Sequence, residues 1–214
     1  MIIVNIMGGL GNQMFQYAAA RHLAILNDTE LKIDSSNFYR HTANREHTLQ
    51  IQHFRITAAE ATFKESRRFR RYKKRHYRFL RSLGNLLRRS PQQDENLLYY
   101  EETGGSRFNP EFFAPASDRY LFGYFNSYKY FDPIRELLMR EFAPREEPGE
   151  EARNALKLME STNSVSIHFR RGDYVTDPNI KSGVSGIITD DYYRNAISHI
   201  SEAVETPHFF VFSN

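Results

Sequence analysis

The chain has 214 residues, of which 40% are hydrophobic, and this is enough for one large globular domain or two small ones. It contains no cysteine, which excludes disulfide bonds, thiolate metal sites and cysteine nucleophiles. The net charge of +3 is unevenly distributed, because residues 64–89 hold twelve Lys and Arg against one acid, so this segment carries +11 and the remainder 3 − 11 = −8.

The beginning of the chain predicts a βαβ unit. An apolar run over residues 2–7 predicts a strand, residues 14–27 predict a helix and residues 30–34 predict a second strand. The glycine-rich turn between the first strand and the helix offers backbone N–H groups to an anion or another ligand, and its amide side chains add hydrogen-bond donors. A tight βα turn without a ligand is the alternative. The substrate-binding residues that we expect in this turn are Gly8, Gly9, Gly11, Asn12 and Gln13.

The middle of the chain is polar and then strongly basic. Within residues 35–63, the spacing of six between His41, His47 and His53 fits neither helical nor strand-face metal geometry, so we expect loop residues and no metal site. Residues 64–89, here called the basic segment, place apolar residues at roughly helical spacing with cations between them. That pattern is typical of a helix on anionic lipid. Nucleic acid is the other polyanion that such a segment binds, and a solvated insertion without a ligand is the alternative to both.

The second half of the chain predicts further alternating strands and helices. Strands are predicted over residues 120–125, 164–169 and 207–213, and helices over residues 128–142, 152–160 and 190–204. Residues 144–151 are rich in Pro, Gly and Glu and predict a linker. We therefore expect an α/β fold with parallel strands, divided into domains at residues 1–150 and 151–214.

Residues 164–169 alternate between apolar and polar side chains, which predicts a strand with one buried face. A histidine, two adjacent arginines and a carboxylate stand where this strand ends: His168, Arg170, Arg171 and Asp173. Ligands of open α/β sheets bind at the carboxyl ends of strands, and paired guanidinium groups suit a phosphate or diphosphate. The alternative is a surface arginine pair with Asp173 as its salt-bridge partner.

Four stretches of the sequence resemble the motifs of a known enzyme family. Residues 7–18 (MGGLGNQMFQYA) and 168–174 (HFRRGDY) resemble the N-terminal and Arg-rich motifs of glycosyltransferase family 11. Residues 123–131 (GYFNSYKYF) resemble the middle motif of that family, and residues 209–213 resemble the strand after the Arg-rich region. The resemblance covers nearly the whole chain apart from the basic segment.

The resemblance implies an inverting galactoside α-1,2-fucosyltransferase, which moves fucose from GDP-fucose to the 2-hydroxyl of a galactoside acceptor without a cofactor or a metal ion. It also implies a GT-B-like fold of two Rossmann-like domains: an acceptor-side domain over residues 1–150, and a GDP-sugar-binding domain over residues 151–214. Because members of the family usually continue further, we expect this second domain to be incomplete in the chain. A fragment and a truncated natural product are both open interpretations.

The residues after the predicted strand suit this reaction. Negative charge builds on the departing diphosphate, and preorganised cations stabilise it more in the transition state than in the ground state, so Arg170 and Arg171 are the candidates for this task. The sequence contains no Asp-x-Asp, consistent with transfer that needs no metal. Inversion requires one general base and no covalent nucleophile, and His168 and Asp173 are both candidates for that base.

Two other functions compete with this interpretation. An NAD(P)-binding Rossmann oxidoreductase is suggested by Gly9 and Gly11 after one strand and Asp34 at the end of the next, but Met14 occupies the third glycine position of that fingerprint. A non-catalytic membrane-binding or nucleic-acid-binding protein would depend on the basic segment alone. We favour a transferase that contacts an anionic membrane peripherally through residues 64–89, and we expect no nucleic acid.

The sequence shows neither a secretory signal nor a run of about eighteen apolar residues that would span a membrane. We therefore expect a cytoplasmic protein, placed by the basic segment on the inner face of the membrane.

Overall fold

The structure is a computed structural model, and it describes residues 1–40, 48–70, 99–102, 107–115, 118–169 and 189–213. The chain divides into two compact units, which we call unit 1 (Met1–Glu146) and unit 2 (Glu147–Asn214). Both units combine helices with parallel strands, so the predicted α/β class is confirmed, and it is consistent with a Rossmann-like glycosyltransferase.

Unit 1 contains a parallel sheet of five strands in the order β3-β2-β1-β5-β4. The chain builds from β1 outwards to β3, then continues at the opposite edge with β4 and returns to β5 beside β1, so the strand order reverses between β1 and β5. The strands are β1 (Ile2–Asn5), β2 (Leu31–Asp34), β3 (Ala59–Glu60), β4 (Tyr99–Glu101) and β5 (Arg119–Phe122).

The helices of unit 1 cover both faces of this sheet. They are α1 (Leu10–Leu26), α2 (Asn37–Arg40), α3 (Phe63–Arg70) and α4 (Arg135–Glu141), with short 3-10 turns at Ile51–His53, Pro110–Phe113, Tyr128–Tyr130 and Asp132–Ile134. The alternate β1 residues Ile2 and Val4 face the main core together with the alanines of α1, whereas Ile3 faces a smaller cluster with Phe69 of α3 and Tyr120 of β5. Burial on both faces explains the apolar run of residues 2–4 that makes up β1 before Asn5.

Unit 2 contains a sheet of two parallel strands, β6 (Asn163–Phe169) and β7 (Pro207–Ser213), and the helices α5 (Glu150–Ser161) and α6 (Asp190–Ala203). The alternation predicted for β6 is confirmed, because Val165, Ile167 and Phe169 are half-buried and the polar residues between them are exposed. The ring of Phe169 packs on Tyr193 of α6 with 4.1 Å between ring centroids, so α6 covers the apolar face of the strand.

Three predicted boundaries are wrong by three residues or more. Helix α1 begins at Leu10 rather than residue 14, so Gly11, Asn12 and Gln13 belong to its first turns. The helix predicted over residues 128–142 is interrupted, because Pro133 lacks an N–H group and its ring clashes with the preceding turn, and only Arg135–Glu141 is α-helical. The strand predicted over residues 120–125 ends at Phe122.

Of the helix predicted in the basic segment, α3 (Phe63–Arg70) is observed, and the remainder lies outside the described residues.

Candidate functional site

The loops that follow β1 and β5 leave the sheet beside one another. The parallel register pairs Ile2 with Arg119 and Val4 with Leu121, so the strand ends at Asn5 and Phe122 are level. The carboxyl ends of parallel strands are where ligands of open α/β sheets bind, above all where the strand order reverses. This edge of unit 1 is therefore a candidate binding site, formed by the glycine-rich turn after β1 and the turn of residues 123–128 after β5.

The glycine-rich turn requires glycine at Gly8. This residue has a φ of +75°, in the left-handed region, and a Cβ there would lie 2.8 Å from Nδ2 of Asn12. Gly9 precedes α1 with an extended backbone and no capping side chain. Gly11 is exposed and has open space where a side chain would stand, so neither its conformation nor its packing demands glycine. Asn12 is half-buried, and among the described residues its amide has no hydrogen-bond partner.

Gln13, predicted to bind substrate, is fully buried and holds the loops together. Its Nε2 donates to the carbonyl oxygens of Gly8 at 2.9 Å and Thr48 at 2.8 Å, while its Oε1 accepts from the N–H groups of Gln50 at 2.9 Å and Ile51 at 3.1 Å. Four bonds use both donors and both acceptor positions of the amide. A direct bond from Gln13 to a ligand would have to replace one of them, so the observed task of this side chain is to position the turn.

The carboxylate of Asp34, the candidate ribose ligand of a dinucleotide-binding protein, is turned into the protein. Asp34 is 2% exposed, and its Oδ2 accepts from the hydroxyl of Tyr120 at 2.6 Å while Oδ1 accepts from the N–H of Ser36 at 3.1 Å. A carboxylate engaged in this way is not presented to a ribose, so the geometry speaks against the oxidoreductase interpretation.

The turn after β5 is held by Glu102, which follows β4. Its Oε2 accepts from the N–H groups of Tyr124 at 2.7 Å and Phe125 at 2.9 Å. A Cβ at Gly123 would lie 2.4 Å from the Cβ of Glu102, so no larger residue fits there. Phe125 has a φ of +53°, which is unfavourable for a bulky side chain, yet its ring is fully buried among other aromatic rings. Burial of this ring and the two bonds from Glu102 together hold the strained backbone in place.

The same turn directs three side chains outwards. Tyr124 is 44% exposed, Tyr128 is 61% exposed, and Asn126 between them is also exposed. Within the described part of the chain, none of these three side chains has a hydrogen-bond partner. The motif of residues 123–131 is recognisable in the sequence, but it predicts no site residue there, because nothing local indicates that the distant Glu102 holds this turn.

In unit 2, His168 is the next-to-last residue of β6, and its side chain is on the exposed face of the strand. Its carbonyl oxygen accepts from the hydroxyl of Tyr193 at 3.1 Å, which ties the strand end to α6. Arg170, Arg171 and Asp173 lie outside the described residues, so their roles stay predictions.

Helix α1 is fastened beneath the glycine-rich turn by a buried acid. Glu141 accepts from the hydroxyl of Tyr17 at 2.6 Å and from Nε of Arg21 at 3.0 Å. Burial, together with the hydrogen bond to Glu141, raises the pKa of Tyr17 to about 12. Tyr17 therefore stays neutral over the physiological range, and this cluster serves the packing of α1 rather than proton transfer.

The described ranges contain no group of three or more His, Asp or Glu side chains arranged to hold a metal ion. Nor is any helix in these ranges both long enough and apolar enough to cross a membrane.

The sequence model described as glycosyl transferase family 11 matches residues 96–214, more than half of the chain. The chain belongs to glycosyl transferase family 11. This confirms the resemblance stated from the motifs and the prediction of a glycosyltransferase, which takes a nucleotide-sugar donor and a glycan acceptor. It lends no support to the oxidoreductase or to the non-catalytic binder.

This family 11 chain is similar to three curated proteins along nearly its whole length. It is 27% identical to the alpha-1,2-colitosyltransferase of Escherichia coli over 215 residues, 100% of the chain and 68% of that protein. It is 28% identical to the O-antigen biosynthesis glycosyltransferase WbnK of Escherichia coli over 226 residues, 97% of the chain and 70% of that protein. It is 26% identical to the galactoside alpha-(1,2)-fucosyltransferase 2 of Sus scrofa over 217 residues, 99% of the chain and 53% of that protein. No solved structure matches the chain.

Proposed function

We propose that this glycosyltransferase moves fucose from GDP-fucose to the 2-hydroxyl of a galactoside acceptor, with inversion at the anomeric carbon. The observation that carries the proposal is the similarity along almost the whole chain to two proteins whose names share the α-1,2 linkage, one a colitosyltransferase and one a galactoside fucosyltransferase. The two names agree in the linkage and differ in the transferred sugar. The transfer experiment below therefore tests the donor sugar as well as the linkage.

Arg170 and Arg171 are proposed to neutralise the departing diphosphate. They follow β6 directly, at the carboxyl end of a parallel strand, which is where ligands of such sheets bind. Guanidinium groups are permanently charged and donate in pairs to phosphate oxygens, so they stabilise the charge that develops as the bond to the sugar breaks. We propose that this makes a divalent cation unnecessary, and that no other cofactor takes part.

His168 and Asp173 are the proposed candidates for the general base that removes the proton of the acceptor hydroxyl. The exposed position of His168 at the end of β6 supports its candidacy, because a base has to reach the proton that it takes. Asp173 has the alternative task of holding one of the arginines. The pH dependence of the two alanine variants distinguishes these roles.

We further propose that the chain has the GT-B architecture, with residues 1–150 as the acceptor-side domain and residues 151–214 as part of the GDP-sugar-binding domain. The α/β character of both units supports this. A crystal structure with GDP bound is the direct test, and a nucleotide bound by unit 1 would contradict the assignment.

Donor binding is tested by calorimetric titration of the whole chain with GDP and GDP-fucose in the presence of EDTA. We expect binding that survives EDTA and is lost in Arg170→Ala or Arg171→Ala. Arg153→Ala is the matched control, because Arg153 is an exposed arginine of unit 2 whose side chain, among the described residues, donates only to the carbonyl oxygen of Pro148. Binding of NAD in place of GDP, or loss of GDP binding on adding EDTA, would contradict the proposal.

Acceptor and linkage are tested by incubating β-galactosides with GDP-fucose and, separately, with an activated colitose donor, and by determining the linkage of the product by NMR. We expect fucose on the galactose 2-hydroxyl. Transfer of colitose alone would keep the proposed linkage but replace the donor, and a product with a different linkage would refute the proposal.

Peripheral membrane contact through residues 64–89 is a separate proposal. In the described part of this segment, Phe69 anchors α3 to the sheet while Lys64 and Arg67 are exposed. The single acid, Glu65, is paired with Lys32 of β2 at 2.7 Å, and hydrogen bonds from Lys32 and Thr62 lower the pKa of Glu65 to about 2. The acid is therefore compensated from outside the segment. Of the described cations of the segment, Arg68 lies 3.9 Å from Asp118. The exposed Lys64 and Arg67 are left for an anionic surface.

Liposome sedimentation tests this contact at the inner face of a membrane. We expect the protein to sediment with vesicles that contain an anionic lipid and to stay in solution with neutral vesicles. Equal sedimentation with both kinds of vesicle, or with neither, would refute the contact.

A further inference from the structure

We propose that Tyr124, Asn126 and Tyr128 form the surface of unit 1 on which the uncharged acceptor saccharide binds, and that Glu102 positions this surface. The inference rests on the proposed function, since it assigns residues to the acceptor of that transfer. We call these three residues the aromatic surface.

The first argument is that the turn beneath the aromatic surface contains two features that lower the stability of the folded protein. Phe125 has a positive φ, and Oε1 of Glu102 is buried without a hydrogen-bond partner among the described residues. A strained backbone and a buried unpaired carboxylate oxygen both reduce stability, and such features cluster at functional sites. The two N–H bonds to Glu102 and the buried ring of Phe125 maintain the turn despite that cost.

The second argument is that the strain directs alternate side chains outwards. Phe125 and Tyr130 are fully buried in the core, whereas Tyr124, Asn126 and Tyr128 are exposed. A helix would spread residues 124, 126 and 128 around its axis, whereas an extended segment directs residues two apart to the same side. The residues after β5 keep the alternation of a strand, with the strained Phe125 buried between two exposed neighbours.

The third argument is chemical. Aromatic faces carry negative charge density, which attracts the weakly positive C–H groups on the flat side of a pyranose ring, and a neighbouring amide can donate to and accept from sugar hydroxyls. Tyrosine offers a large amphipathic contact area that loses little conformational entropy on binding. Two exposed phenols around an amide therefore provide both an apolar platform and the few polar groups that orient a ligand.

The fourth argument separates the acceptor from the nucleotide donor. A diphosphate requires cations, and Lys129 is the single cation in residues 123–131. Its Nζ lies 6.0 Å from the centroid of the Phe108 ring, so it is engaged with an aromatic face. The aromatic surface itself is uncharged. An uncharged saccharide thus suits it better than a nucleotide does.

The position of the turn agrees with such a site. It follows β5 at the edge of the sheet where the glycine-rich turn follows β1, and the amide of Asn12 there has no hydrogen-bond partner among the described residues. A ligand on the aromatic surface thus lies at the carboxyl end of the two central strands, the usual place for ligands in such folds.

The test is a titration of the whole chain with lactose and with methyl β-galactoside, followed by saturation-transfer NMR. We expect Tyr124→Ala and Tyr128→Ala each to weaken binding about tenfold, whereas Tyr124→Phe, which keeps the ring, stays within about twofold. The matched control is Met139→Ala, which removes a 67% exposed apolar side chain from α4. Thermal unfolding followed by circular dichroism checks that every variant is folded.

GDP binding, measured by calorimetry on the same samples, separates this inference from the proposed function. Selective loss of galactoside binding in the tyrosine alanine variants, with GDP binding unchanged, supports the aromatic surface. Equal galactoside affinity in all variants, or a wild type that binds GDP but neither galactoside, overturns it and leaves donor binding intact. Galactoside binding through the two tyrosines without any GDP binding would retain the surface and refute the proposed function.

Discussion

Replacing Tyr17 by Phe should produce a loss of stability that disappears at high pH. The Tyr17 hydroxyl donates to Glu141 at 2.6 Å and accepts from the N–H of Thr57 at 3.3 Å, and the side chain is fully buried. Removing a hydrogen bond to a buried charged group costs about 1.5–3 kcal/mol. At pH 7 we therefore expect Tyr17→Phe to lower the free energy of unfolding by about 2 kcal/mol.

The pH dependence follows from the pKa of Tyr17, which burial and Glu141 raise from 10.0 to about 12. Above pH 10 the unfolded chain loses this proton while the folded protein keeps it, so the stabilisation is complete below pH 10 and is lost as the pH rises to 12. A difference of two pKa units corresponds to about 3 kcal/mol. The loss is comparable to the benefit of the hydroxyl at neutral pH, so wild type and variant should converge near pH 12.

Urea unfolding followed by circular dichroism between pH 7 and pH 12 measures this convergence. Circular dichroism is preferable to fluorescence because the chain has no Trp and the emission of Tyr changes when it ionises. Other tyrosines with raised pKa, such as Tyr100 and Tyr130, affect both proteins equally and cancel in the difference. Tyr39→Phe, which removes the hydroxyl of an exposed tyrosine, should change the free energy of unfolding at pH 7 by less than about 0.5 kcal/mol. A constant difference between wild type and Tyr17→Phe across the range would refute the reasoning.

Three further predictions concern the loops and the base. Gln13→Glu should lower the free energy of unfolding by about 2–4 kcal/mol, because a carboxylate oxygen would replace the amide group that donates to two carbonyl oxygens. An unchanged midpoint of urea unfolding would show that the loops do not depend on these hydrogen bonds. Gly123→Ala should cost about 1–3 kcal/mol because its Cβ would lie 2.4 Å from another Cβ, whereas Gly149→Ala, which has open space around it and changes only a helix N-cap, should cost less than about 1 kcal/mol in the same unfolding assay. His168→Ala and Asp173→Ala distinguish the two candidates for the general base. The variant that lacks the base should lose the acidic limb of the pH–kcat profile, whereas loss of a residue that only binds substrate should change KM and leave that limb in place. If the acidic limb survives in both variants, neither residue is the general base.

The elements that the sequence predicted well are those whose pattern is local. In β6 the alternation of Val165, Ile167 and Phe169 with polar residues is confirmed residue by residue, because a strand with one covered face has a period of two. The apolar run of residues 2–4 in β1 likewise matches a central strand buried on both sides. Helix α1 was placed too late because its first turn has neither a capping side chain nor an acid, so the usual signals for a helix start are missing.

The contacts that shape the candidate site were not predictable because they join residues far apart in the sequence. Gln13 holds backbone groups 35 to 38 residues away, and Glu102 holds N–H groups 22 and 23 residues away. Sequence patterns report on periodicity and turns, but not on which distant amide or carboxylate a loop will meet. Glu102 in particular stands in a segment without a motif, so nothing local distinguishes it from a surface acid.

The N-terminal motif therefore contains residues of two kinds, although sequence reasoning treated all of them as ligand contacts. Gly8 supplies a left-handed backbone and Gln13 is saturated by protein groups, so both are needed for the turn to exist at all. Asn12 and Gly11, by contrast, have no structural task among the described contacts, since one has an amide without a hydrogen-bond partner and the other faces open space. A motif that only built the turn would not need Asn12 or a third glycine at Gly11. These two positions are consequently where the motif is expected to meet the substrate.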